Sequence, residues 1–174
     1  MSELDEAWQL ALAEAKQRAH AAGRADIAKY LDLRAQNDLL RQAAVEWLTK
    51  TLTKLAAEAN RHGSSIQIEQ QDSHRFRIGS ATMVGTQFTL RCGVRALSVE
   101  SGWPRTPRDG FVRGGGLACA NIKHFGRRRS NAELLLVRSP GGAPQWFVFD
   151  KNGARSPFTE ERIHDHFLAL TTES

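Results

Sequence analysis

Eleven lysine and arginine side chains fall between residues 73 and 132, opposed there only by Glu100 and Asp109, a net +9 within a chain whose total is +5. Guanidinium groups grip phosphate oxygens two at a time, and several along one surface hold a polyanion by releasing its counterions. Arg75 and Arg77 alternate with Phe76 and Ile78, and Arg91 alternates with Leu90 and Cys92. A period of two predicts these three arginines on the polar face of neighbouring strands. Arg113, Lys123 and the run Arg127-Arg128-Arg129 stand where loops would rim that face. Trp103, Phe111 and Phe125 lie among the charges, and aromatic rings in such places stack on bases. A plainer account competes with this one. Arginine outnumbers lysine 18 to 6 and alanine is abundant, as GC-rich coding produces. The aromatics can equally anchor loops, and the arginines can form a solvated face.

Other chemistries have thinner motifs. Gly114-Gly115-Gly116 frees backbone amides that can form an anion nest beside Arg113, and Asp109 and His124 complete a candidate loop site. The triplet lacks the Gly-Lys-Ser/Thr ending of a nucleotide loop, and no well-capped helix follows it. Cys119 and His124 are five apart, with Cys92 and His74 elsewhere, but no Cys-x-x-Cys or His-x-x-x-His pair exists. His164 and His166 diverge by about 200° on a helix, so they do not share an ion. No metal and no cofactor is expected. The nucleophile elbow, the kinase set and the zincin motif are all missing. An acid among arginines is normally ionised and structural, so the reading leans away from an enzyme.

The elements that would carry these residues follow from periodicity. Ser2 with Asp5 begins a helix in the manner of a capping box, and Leu4, Trp8, Ala11, Leu12, Ala15 and Ala19 recur at helical spacing as far as Gly23. A shorter helical piece presents Ile27, Tyr30 and Leu31, and Asn37 or Asp38 restarts or continues it. Leu40, Ala44, Leu48, Leu52, Leu55 and Ala59 then stripe a long helix closed by Arg61, His62 and Gly63. Residues 1–62 are thus a helical segment of two or three helices.

After Gly63 the period changes to two. Ile66 and Ile68, Phe76 and Ile78, and Phe88, Leu90 and Cys92 mark half-buried strands. Leu134 to Val137 and Trp146 to Phe149 are apolar on both parities and predict central strands covered on both sides. Gly141-Gly142 and Asn152-Gly153 are turns. Ser156-Pro157 predicts the start of a last helix whose buried face is Ile163, Phe167 and Leu170. Residues 101–131 are irregular, with a short strand near 117–122. The expected class is α+β: N-terminal helices packed on an antiparallel sheet of about 5–7 strands, closed by a C-terminal helix. Residues 63–174 form the sheet domain, one compact unit with the helices.

Two cysteines, no basic apolar leader in Met1 to Glu14 and no apolar run of membrane length predict a cytoplasmic chain with no membrane contact. The leading functional expectation is a non-catalytic module that binds nucleic acid or another polyanion. The alternative is a protein-interaction subunit of a bacterial assembly, or a homodimer. It would use the helical third, whose nine basic and nine acidic groups cancel, with Trp8 and Trp47 as anchors. The third is an enzyme acting on a phosphorylated substrate at the glycine-rich loop.

Overall fold

Ser2 accepts a hydrogen bond from the Asp5 backbone N–H at 3.3 Å and opens α1, Glu3–Ala21. The computed structural model describes residues 2–172, so the expected bounds at residues 1 and 174 lie outside the described residues. After the turn at Gly23 a single helix, α2, runs unbroken from Ala25–Arg61. Asp38 does not restart it. A mid-helix aspartate breaks a helix by bonding nearby backbone N–H groups, and this one is engaged elsewhere. It accepts from Trp8 Nε1 at 2.6 Å and from Arg41 at 2.7 Å. The helical third is therefore two helices.

Seven strands follow in simple up-and-down order: β1 Gln67–Ile78, β2 Ala81–Cys92, β3 Arg95–Trp103, β4 Ala118–His124, β5 Ala132–Arg138, β6 Pro144–Phe149 and β7 Arg155–Pro157. Every adjacent pair is antiparallel. The last helix, α3, spans Glu160–Thr171. Ser156-Pro157 does not cap it. These residues form the edge strand β7, where proline's missing N–H faces no neighbour, and Thr159 stands at the helix start instead.

The main core lies between the helices and one face of the sheet. Leu48 and Leu52 of α2 and Phe167 and Leu170 of α3 meet Leu90, Leu97, Val99, Leu134 and Leu136 there. A smaller core covers part of the other face, where Phe76, Met83, Cys119 and Leu135 pack with Val112 of the β3–β4 connection. Leu134, Leu135 and Leu136 are consequently all buried, as their double apolar parity predicts. β6 departs from that expectation. Trp146 is buried, but Phe147, Val148 and Phe149 are half-buried, because only a three-residue strand lies beyond them.

One irregularity decides which residues share a face. β1 and β2 pair in one register up to Gln71↔Gln87 and resume at His74↔Gly85, so Asp72 and Ser73 together oppose Thr86. Ser73 takes φ 56° in this bulge. An extra residue inverts the alternation beyond it. Arg75 and Arg77 now oppose Val84 and Thr82 on the helix side, while Phe76 and Ile78 pack into the smaller core. Arg91 opposes Gln67 on the other side. The single arginine face expected from the alternation is thus split across the sheet.

Candidate functional site

On the helix-free side, the ladder sets Gln87 and Thr89 of β2, Ser98 of β3 and Lys123 of β4 beside one another. Gln87 and Thr89 each donate to the Ser98 hydroxyl at 3.4 Å, giving a polar floor. With Arg91 and Glu69 this floor forms one wall of an open groove of about 1230 Å³, and the β4–β5 loop from Phe125 to Asn131 forms the other. Five basic side chains line it (Arg91, Lys123, Arg127, Arg128 and Arg129) against one carboxylate, Glu69. Phe125 stands at the rim, 75 % exposed.

The cations here are of two kinds. Arg127 donates to the Ala169 carbonyl, and Arg95 donates to those of Leu170 and Thr172. Both tie down the C-terminal end of α3, where unpaired carbonyls and the helix dipole favour positive charge. Arg75 pairs with Asp109, Arg91 with Glu69 and Arg113 with Glu133, while Arg77 donates to the Ser80 carbonyl. Arg113 also lies over the Phe149 ring at 4.2 Å. Arg128 and Arg129 are exposed, and among the described residues their guanidinium groups make no hydrogen bond or ion pair. Asp5, Glu69 and Glu133 fall outside residues 73–132 in sequence yet sit against arginines of that block in space. The +9 count therefore overstates the field.

Lys123 belongs to a cluster that no sequence motif announces. Glu100 is buried in the middle of β3, 3.0 Å from His74 Nε2 and 3.1 Å from both Asn121 Nδ2 and Lys123 Nζ. Burial pushes its carboxyl up, but the hydrogen bonds from His74, Asn121 and Lys123 outweigh this and hold it below its ordinary value. Glu100 thereby anchors Lys123, whose side chain remains 52 % exposed towards the groove. The available signal was cross-strand register, which places Asn121 opposite Glu100, and register is not legible before the strands are paired.

The glycine-rich loop, Asp109 and His124 do not form one site. Gly116 lies two residues before the start of β4 and His124 ends it. Gly114 and Gly115 lie in an exposed 3-10 turn beside Arg113. A Cβ on Gly116 would come within 2.6 Å of Leu135 Cδ1, so close packing requires the third glycine. Asp109 closes another 3-10 turn, accepting from the backbone N–H groups of Arg105 at 2.9 Å and Thr106 at 3.1 Å. Burial raises its carboxyl, and those N–H bonds with Arg75 bring it below its ordinary value. Cys119 points into the smaller core and His124 to the opposite face of β4, so the two diverge rather than share an ion. Burial, reinforced by Glu133, pushes the Cys119 thiol up to about 12.

His124 instead meets His166 of α3, with Nε2 and Nδ1 2.8 Å apart and the rings stacked. One ring donates and the other accepts, so at least one must be neutral. Burial lowers both pKa values, helped at His124 by Arg127 and at His166 by His124; Asp165 opposes the fall at His166, which reaches about 4. The folded pKa lies below the unfolded value, so the stabilisation is complete above pH about 6.5 and is lost as pH falls towards 4. Between pH 7.5 and 5, urea denaturation is expected to show a loss of about 2 kcal/mol from His166. His166→Gln, which still bonds His124 but does not titrate there, should flatten that dependence; an equally steep profile in the variant would assign it to other groups.

Compared with protein-family models, curated proteins and solved structures, the chain matches none.

Proposed function

We propose that the chain is a non-catalytic module that binds nucleic acid or another polyanion in the groove between the polar sheet floor and the Arg128-Arg129 turn. The observation that carries this reading is the charge of that groove: five cations and one carboxylate, with Arg128 and Arg129 exposed and uncommitted. Phosphates would meet these two arginines, Lys123 and Arg91. The Gln87, Thr89 and Ser98 side chains offer neutral donors and acceptors to base or sugar edges, and Phe125 offers a stacking surface.

The test is fluorescence anisotropy of labelled single- and double-stranded oligonucleotides from low to near-physiological salt. Affinity should fall steeply with salt. Arg128→Ala/Arg129→Ala should reduce the slope of log K against log salt by about 1.5–2 without changing thermal stability. Arg127 must be left intact in this variant, because its loss would loosen α3. If the natural chain fails to bind at the lowest salt, the proposal fails.

A second reading, docking of a protein partner through the helices, has one specific support. Tyr30, Leu33 and Leu39 of α2 are exposed large apolar residues, as is Leu10 of α1. Trp8 and Trp47 contribute less to it. Trp8 donates to Asp38 and lies under Arg34, and Trp47 packs against the main core.

A further inference from the structure

The core-facing stripe of α2 runs on past the sheet it covers. Val45, Leu48 and Leu52 recur at helical spacing and bury in the main core. Tyr30, Arg34, Asn37 and Arg41 continue the same stripe towards the N-terminal end of the helix, with Leu33 beside it. There α2 faces the β3–β4 connection instead of strands, and a groove of about 640 Å³ opens between the two. Its large apolar side chains are uncovered. Tyr30 and Leu33 are exposed on the helix wall, and Phe111 on the opposite wall is 86 % exposed. Large apolar side chains grouped in this way mark a surface that another molecule covers.

The groove is also basic. No carboxylate lines it, whereas Arg34 and Arg41 do. Arg41 is neutralised by Asp38. Arg34 is not, because it donates to the Arg105 carbonyl at 2.8 Å and lies over the Trp8 ring at 4.8 Å, both uncharged partners. Arg138 reaches the same wall and donates at 2.7 Å to Asn37, again a neutral group. The matching occupant presents an apolar side chain flanked by carboxylates.

The chain itself carries such a surface. Leu12 and Ala19 bury the inner face of α1, and Leu10 stands on the side turned away from them, 62 % exposed. At 3.6 residues per turn, Glu3, Glu6 and Glu14 fall within about 40° of Leu10, and no lysine or arginine shares that arc. All three glutamates are exposed and, among the described residues, make no ion pair. We infer that α1 of a second copy of this chain occupies the groove, with Leu10 against Tyr30, Leu33 and Phe111 and the glutamates facing Arg34 and Arg138. The exchange is reciprocal, so that two copies close into a dimer. This rests on the reading that the helices dock a protein, and it names that protein. The polyanion groove, on the helix-free side of the sheet, stands or falls separately.

Sedimentation equilibrium of the intact chain from about 1 μM to 1 mM supplies the first readout. A concentration-dependent dimer is expected, weakening as salt is raised. Leu10→Lys sets a cation against the arginines, and Leu33→Glu sets a carboxylate against the glutamates. Both positions are exposed, so each variant should keep its thermal stability while weakening association by about tenfold or more. Mixed in equal amounts, the two variants should dimerise again. The natural groove of one then meets the natural α1 of the other, and lysine meets glutamate at the second contact. A natural chain that stays monomeric throughout would overturn the inference, as would a mixture that stays monomeric or growth into open-ended assemblies. Association weakened by Leu33→Glu but not by Leu10→Lys would also overturn it, while keeping the helices as a docking surface. Association that neither change weakens would reject the helical surface altogether. Both variants should retain the natural salt slope in oligonucleotide binding, so the polyanion reading is judged apart from this one.

Discussion

Replacing Asp38 with alanine is expected to destabilise the chain by about 3–5 kcal/mol and to loosen α1 from the rest of the fold. Asp38 is 1 % exposed and lies between two partners from different parts of the chain. It accepts from Trp8 Nε1 on α1 and from Arg41 one turn along α2. Arg41 in turn donates through Nε to the Leu117 carbonyl at 2.7 Å, at the entrance to β4. One carboxylate thus orders the contact between the helices and the contact of α2 with the sheet. Burial pulls the Arg41 pKa below its ordinary value, against the opposing pull of Asp38. Alanine would leave that guanidinium without its counter-charge and the indole N–H without an acceptor. Asp38→Asn keeps an acceptor and should lose less. Trp8→Phe removes one donor of the network and should cost about 1–2 kcal/mol through hydrogen bonding. Urea denaturation followed by circular dichroism gives these values, and a loss below about 1 kcal/mol for Asp38→Ala would show that the network is incidental to stability.

What the sequence revealed and concealed follows from the range of each interaction. Helical and strand periods are local, so the two helical stripes, the buried run Leu134 to Leu136 and the face of α3 were all legible. The β1 bulge was not. It carries neither glycine nor proline, since Asp72 and Ser73 accommodate it, and its effect on Arg75 and Arg77 appears only once β1 is paired with β2. Ser156-Pro157 has the composition of a helix start and also suits an edge strand, and only its pairing with β6 separates the two. The groove was half visible. Its loop arginines stand together in sequence, but the floor of Gln87, Thr89 and Ser98 is polar without being distinctive. The neutralising partners Asp5, Glu69 and Glu133 lie outside the basic block. Charge counted along a chain cannot register acids brought in by folding.

That distinction between committed and uncommitted arginines yields the second large effect. Arg105→Ala is expected to cost about 3–5 kcal/mol, comparable to Asp38→Ala and far beyond any surface arginine. Its guanidinium is buried and donates to the Val84 carbonyl from two nitrogens, at 3.1 and 3.2 Å, and to Asp5 at 2.8 Å. It also stacks on Trp103 at 3.8 Å. It therefore joins the start of α1, the middle of β2 and the end of β3 through one planar group. Lysine cannot reproduce this fork, so Arg105→Lys should recover only part of the loss. Denaturation and oligonucleotide binding, measured on the same variants, separate the two classes of arginine. Conservatively tested below its unfolding transition, Arg105→Lys should lose stability while keeping the natural salt slope, and Arg128→Ala/Arg129→Ala should do the reverse. If Arg105→Lys changed the slope as strongly as the loop variant, binding would track the integrity of the whole basic block rather than the two free arginines. The assignment of polyanion contact to the β4–β5 turn would then be wrong.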